Sequence, residues 1–167
     1  MENQKNKSEM TSKEIVEILL EDFNKIDIGR YDYYYIPHKS DFTKAMSLSI
    51  KETCNRLNLR VVPEVDIIMP EHIRNEHKRK IGGIVDFIII NPNGKDIAIE
   101  LDSSHKIYSY KKLEVLNDQG YDAYWIVWNK NTNGKIYPPY NNKELGFNNE
   151  NVNIVRHTFH ADLSNKP

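Results

Sequence analysis

Three carboxylates sit where a chain seldom puts them. Residues 82–105 read GGIVDFIIINPNGKDIAIELDSSH, two runs of strand-forming residues around a turn, with Asp86 in the first run and Glu100 and Asp102 in the second. Asn91-Pro92-Asn93-Gly94 suits a three-residue hairpin loop in which Pro92 sets the first turn position and Gly94 takes the left-handed position that closes the bulge. If Asn91 pairs with Lys95, Asp86 falls opposite Glu100, with β-carbons about 4.5–5.5 Å apart on one face. Asp102, two residues on, points the same way. Two carboxylates at roughly 5 Å repel by about 3 kcal/mol at an effective dielectric near 20. A cation or a proton must compensate. A hard divalent ion is the simplest compensation: magnesium takes one or two carboxylates and completes its shell with water and phosphate oxygens. The competing expectation is a half-exposed hairpin with its acids in solvent; three acids on one face of otherwise apolar strands favour a site.

The elements that must position these acids can be read from pattern. TSKE offers a capping box, Thr11 to Glu14, ahead of Ile15, Ile18, Leu19 and Phe23 at helical spacing, so a first amphipathic helix is expected to run to near Gly29. YDYYYIP, residues 31–37, reads as extended and packed over the core. A second helix is expected over about 41–58, with Phe42, Ala45, Met46, Leu48, Ile50, Cys54 and Leu57 on a broad apolar face. RVVPEVDIIMP reads as a strand and EHIRNEHKRK as a polar connection with a basic end. After the hairpin, YSYKKLEVLNDQG places Leu113 and Leu116 on one helical face with Gly120 as its C-cap. DAYWIVWN is a strand, the Asn-, Gly- and Pro-rich stretch after it is mostly loop, and NIVRHTF makes a last strand.

VDF followed by IELD and SSH, in a helix, strand, strand, strand, helix, strand order, resembles the PD-(D/E)XK nuclease superfamily. It is similar in particular to the VDF...IELD-type domains related to very-short-patch repair endonucleases. The resemblance covers about residues 41–130 and is specific mainly over 84–105. It implies an α/β fold with a restriction-endonuclease-like core, a three-strand meander between helices and a mixed sheet flanked by helices. It also implies a magnesium-dependent nuclease, manganese substituting, that hydrolyses phosphodiester bonds in restriction, repair or defence, as an endonuclease. Asp86 and Glu100 are then the metal-binding acids, with Asp102 as a further ligand or as the residue that orients water.

Two departures follow from this alignment. Val85 stands where the motif has Pro, and Asp102 stands where it has Lys. His105, inside the signature and able to take a proton near neutral pH, is the first candidate for the missing cation. Lys112 is the second; it lies within about 60° of the Leu113 and Leu116 face and can snorkel toward the sheet. Glu52 on the second helix, and Glu64 and Asp66 on the preceding strand, are weaker candidates to approach a metal. The rival expectation is an inactive nuclease-fold module that binds nucleic acid or a protein.

Arg74, Lys78, Arg79 and Lys80, with His77 among them, form the densest basic run, placed just before the Asp86 strand and suited to a phosphate backbone. His72 and His77 are poorly spaced for a helical metal pair, and His157 and His160 have no evident third ligand. Trp125 and Trp128 read as core rather than as base-stacking platforms.

The chain has 167 residues, expected to form a polar tail over 1–10 and a single domain over 11–167. With 23 basic and 24 acidic residues, its net charge of −1 does not advertise nucleic-acid binding, so any such contact must be local. Expected partners are nucleic acid, DNA ahead of RNA, and a second copy or a partner protein. No run is long enough for a membrane span and the N-terminus lacks the apolar core of a secretory signal, so no membrane association and a cytoplasmic location are expected. Cys54 is the single cysteine, expected to be a buried small side chain.

Overall fold

The computed structural model describes residues 9–29, 31–32, 34–78, 82–131 and 146–161. Its elements are α1 (Ser12–Phe23), α2 (Lys39–Arg56), β1 (Arg60–Ile67), α3 (Glu71–Glu76), β2 (Gly83–Ile90), β3 (Ile97–Asp102), α4 (Ile107–Asp118), β4 (Asp122–Asn131) and β5 (Val152–His160). The strands form one mixed sheet in the order β1-β2-β3-β4-β5. β1, β2 and β3 are antiparallel neighbours, whereas β3–β4 and β4–β5 are parallel. The chain is therefore an α/β protein with a five-stranded mixed sheet flanked by helices. Among the described residues no helix is long and apolar enough to cross a membrane.

Burial explains the layering. α1 and α2 cover one face, where Ile15, Leu19, Phe42 and Met46 pack on Phe87, Ile89, Ile97, Ile99, Ile126 and Trp128. α4 covers the other, where Tyr110, Leu113 and Leu116 pack on Val85, Ile88, Ala98, Trp125 and Val127. Alternation along β3 thus sends Ile97, Ile99 and Leu101 toward α1 and α2, and Ala98, Glu100 and Asp102 toward α4. Every β3 residue is buried, so the two acids are enclosed by the layer that covers their face.

The expected hairpin register is present. Phe87 pairs with Ile99, Ile88 with Ala98 and Ile89 with Ile97, the alignment that sets Asp86 toward Glu100. The loop differs from expectation. Its ladder stops before Asn91 and Lys95, because Asp96 Oδ1 accepts from the Asn91 N–H at 3.0 Å in place of a strand partner. Asn91 O accepts from the Gly94 N–H at 3.3 Å, closing an ordinary turn, and Gly94 is not left-handed.

A break in alternation lies next to the hairpin. Phe87 and Ile89 face α1 and α2, yet Val85 faces α4 together with Ile88. On the paired strand Val61 packs with the first layer, and Val65 and Ile67 pack with the second. Pro63–Phe87 and Val65–Val85 are paired, and between them lie Glu64, at φ 51°, and Asp86, which are not. The β1–β2 ribbon swaps its faces at this point. Consequently its far half wraps over α4 instead of continuing flat.

Other expectations are corrected. α1 ends at Phe23 rather than near Gly29, since Asn24 and Lys25 already bond back in short turns to Glu21 and Asp22. Val16 fills the buried position beside Ile15, while Ile18 is only partly buried. In place of an extended run, Asp32 folds back on Tyr34 and Tyr35: its Oδ1 accepts from the N–H groups of both, each at 2.9 Å. Tyr31 packs edge-on to Phe42, whereas Tyr34 and Tyr35 are exposed. Leu48 is also exposed, outside the buried stripe of α2. EHIRNEHKRK contains the short helix α3.

Elsewhere the sequence reading agrees with the fold. The Thr11–Glu14 capping box is formed, and Gly120 at φ 99° follows α4. Cys54 is buried, which pushes its thiol pKa up to about 11. Trp125 and Trp128 are buried. Residues 1–8 of the expected tail and 132–145 of the Asn-rich stretch lie outside the described residues, while Met10 packs against the first core layer.

Left-handed backbone at a non-glycine residue costs on the order of 1–3 kcal/mol. Glu64→Gly should therefore be neutral or stabilise the fold by about 1 kcal/mol, and Glu64→Val should destabilise it by about 1–2 kcal/mol. Urea unfolding of the two variants measures both; equal destabilisation by both would mean that the face swap does not depend on this backbone conformation.

Candidate active site

Asp86, Glu100 and Asp102 line one cavity of about 630 Å³ on the α4 face, together with His77, His105, Lys106, Tyr108 and Lys112. Alternation along β2 and β3 brings the acids there from two strands, and α4 brings the lysine.

Each acid is held differently. Asp86 Oδ2 accepts from the Leu101 N–H at 2.7 Å. Burial raises the Asp86 pKa, opposed by that hydrogen bond and by the Lys112 charge. Glu100, 2% exposed, has Lys112 Nζ 2.6 Å from its Oε1. At this distance the lysine ammonium is the group that compensates the Glu100 carboxylate. Burial first, and the Asp86 charge second, push the Glu100 pKa up to about 8 despite Lys112. Asp102 has both oxygens engaged: the Trp125 indole N–H donates to Oδ2 at 2.9 Å, and Lys106 Nζ lies 2.9 Å from Oδ1.

Of the two groups expected to replace the motif's lysine, Lys112 is the one in contact with Glu100. Its Nζ also donates to Ile84 O at 2.6 Å. The buried stem crosses β2 at Gly83, where an added β-carbon would lie 2.7 Å from Lys112 Cδ. A side chain at 83 is thus incompatible with this path. His105 lines the same cavity from the Asp102 side. Its ring stacks on Phe147 with centroids 5.7 Å apart and meets Trp125 edge-on at 5.6 Å. Its Nε2 lies 3.4 Å from Arg156 Nη2, and burial, reinforced by the Arg156 charge, lowers its pKa.

The remaining candidates separate. Glu52 lines a groove between α1 and α2 with Asp22 and Arg56, on the far side of the sheet from the acids. Glu64 is exposed on β1. Asp66, Arg74 and Lys78 line a second cavity of about 1100 Å³ that shares Tyr108 and Lys112 with the first. Arg74 also donates from Nε to Met69 O at 3.1 Å. Arg79 and Lys80 lie outside the described residues. His157 packs edge-on against Phe23 and Phe159, and burial lowers its pKa to about 4, as befits a core residue.

Sequence reasoning missed Gly83, Lys106 and Trp125. The Gly82-Gly83 pair, one residue ahead of VDF, was the available signal for a close approach. Lys106, four residues beyond Asp102, carried a weaker one. Nothing in the spacing pointed to Trp125, which reaches Asp102 from the neighbouring strand.

Among the described residues no three His, Cys, Asp or Glu side chains form a group placed to hold a metal ion. The chemistry of the donors does suit a hard cation: Asp86 and Glu100 are carboxylates lining one cavity, and Asp86 has an oxygen outside its Leu101 bond. No protein-family model, curated protein or solved structure matches the chain.

Burial of Glu100 has a pH signature. The unfolded chain loses this proton near pH 4.5 and the folded protein only near 8, so the folded state binds more protons between those values. Stability contributed by this group should fall as pH rises across that window and level off above it. Glu100→Gln should flatten the slope and raise the unfolding free energy at pH 8.5 by at least about 1 kcal/mol, since one pKa unit corresponds to about 1.4 kcal/mol. Urea denaturation at several pH values reads both effects; an unchanged slope in the variant would contradict the assignment.

Proposed function

We propose that the chain is a metal-dependent nuclease with a restriction-endonuclease-like core, cleaving phosphodiester bonds of nucleic acid, DNA ahead of RNA. The observation that carries this reading is the convergence of Asp86, Glu100 and Lys112 in one cavity, with the lysine supplied by α4 instead of by position 102. The element order supports it: a helix, three antiparallel strands, and a helix leading into a parallel strand.

Asp86 and Glu100 are the residues that would hold magnesium or manganese. When bound, such an ion supplies Lewis acidity to the scissile phosphate and lowers the pKa of water. The protein's own groups do the rest. An ammonium has three N–H donors; Lys112 directs one to Ile84 O and its charge to Glu100, which leaves a donor for the attacking water or a phosphate oxygen. The Leu101 N–H fixes one Asp86 oxygen and thereby orients the other. Asp102, engaged by Trp125 and Lys106, acts as a positioning residue that anchors the end of β3 and holds an exposed lysine at the cavity mouth. Lys106 is then available to a phosphate when substrate displaces it from Asp102. Such an arrangement favours hydrolysis, because the protein groups that would orient water and neutralise developing charge are positioned before substrate arrives.

Purified protein incubated with plasmid, linear duplex, single-stranded DNA and RNA in magnesium or manganese should cleave at least one substrate, and chelation should abolish cleavage. Asp86→Ala and Glu100→Ala should each lower the rate by about 100-fold or more, and Lys112→Ala by a comparable factor. Intact substrates in every wild-type lane, or cleavage persisting in both acid variants, would remove the proposal.

Gly83→Ala probes the lysine's path separately. It should cut the cleavage rate by about 10-fold through displacement of Lys112, a magnitude expected of ångström-scale misplacement. A rate equal to wild type would show that Lys112 reaches Glu100 without the space at Gly83.

A further inference from the structure

The second cavity differs in chemistry from the first. Its floor includes Ile68, Met69 and Ile84, its rim carries Arg74 and Lys78 against the single acid Asp66, and Tyr108 and Lys112 form the wall common to both cavities. Ile68 is 88% exposed and Ile84 53% exposed, although both adjoin buried core: Met69 follows Ile68, and Ile84 pairs with Asp66 beside the Val65–Val85 pair. The Tyr108 hydroxyl donates to Gly82 O at 2.8 Å, and its ring meets His77 edge-on at 5.6 Å, so this wall is fixed from both sides.

We propose that this groove receives an unstacked nucleobase next to the scissile phosphate, so that the substrate is single-stranded or locally opened nucleic acid. The inference rests on the nuclease reading, because the shared wall is what joins base to phosphate. A duplex presents its phosphates and keeps its bases stacked. Its backbone could neutralise Arg74 and Lys78, but it would leave Ile68 and Ile84 in water. An unpaired strand satisfies both: its phosphates lie along the cationic rim and an apolar base face covers the isoleucines and the Tyr108 ring. Aliphatic side chains inserted beside a base step are a recognised means of holding bases out of the stack. Flanking a base with an apolar floor and a phosphate with lysine is also how an active site reads strands that are already open, since those carry the smallest unstacking cost.

Fluorescence anisotropy of a labelled 20-mer of thymidylate, beside a labelled hairpin duplex of mixed sequence, tests this with the full chain carrying Asp86→Ala to prevent cleavage. The single strand should bind at least 10-fold more tightly than the duplex. Adding Ile68→Ser and Ile84→Ser, which strip apolar surface without adding charge, should weaken single-strand binding by at least 10-fold and leave duplex binding within about 2-fold; both side chains are exposed, and circular dichroism checks that the variant folds. Ile68→Leu with Ile84→Leu should bind as the parent does. Equal affinity for the two probes, or single-strand binding unaffected by the serines, overturns the proposal, as does weak binding to both probes, which would leave the apolar floor to a protein partner. Binding and cleavage fail independently. Strand-selective binding without cleavage by the wild-type chain would sink the nuclease reading and keep the groove, and cleavage without strand preference would do the reverse.

Discussion

Everything at the α4 face depends on how a buried carboxylate, Glu100, and its half-buried neighbour, Asp86, are tolerated. They lie on adjacent strands, where the Asp86 charge raises the proton affinity of Glu100 and burial raises that of both. Lys112 is the compensating charge, and its contact with Glu100 is possible because β2 begins with glycine where the lysine stem crosses. The compensation is incomplete. Glu100 still holds its proton far above the usual carboxylate range. On the proposed nuclease reading, a cation bound beside it would supply the missing compensation.

The sheet is shaped around this requirement. A strand that alternated without interruption could not bring Val85, Asp86 and Ile88 to the α4 side while Phe87 and Ile89 fill the opposite core. The swap of faces at Glu64 and Asp86 resolves the conflict, at the cost of a left-handed backbone on the outer strand. The same swap curls the start of β2 over α4, which brings Ile84 O to Lys112 and exposes the Ile84 side chain beside Ile68. One local distortion thus turns Val85 to the α4 side, brings Ile84 O to the lysine and opens the neighbouring groove.

Hydrophobic packing supplies the rigidity that holds these groups. Trp125 is the clearest case, fully buried between the rings of Tyr110 and Phe147 while its indole N–H anchors Asp102. A buried indole needs a polar partner, and a buried carboxylate needs a donor; each satisfies the other. With Lys106 on the second oxygen, Asp102 secures the strand end at which the cavity opens. His105, stacked on Phe147 beside Arg156, extends the same aromatic support to the cavity's other side.

Local chemistry in the sequence determined a good deal. The capping box of α1 and the α4 stop at Gly120 were legible, because each rests on residues a few positions apart. Hairpin register was legible even though the turn was misread: pairing is enforced by which residues must be buried, and Gly94 did not need a left-handed backbone to keep it. The tertiary structure decided the rest. Whether His105 or Lys112 touches Glu100 depends on how α4 lies across β2, and Asp102 is engaged by a tryptophan from a strand that spacing could not relate to it. Glu52 failed for the same reason, since helical periodicity gives a residue its face but not the side of the sheet on which that face lands. Chain-local rules fix elements and pairs; the meeting of side chains from separate elements is set by packing, where no single segment carries the information.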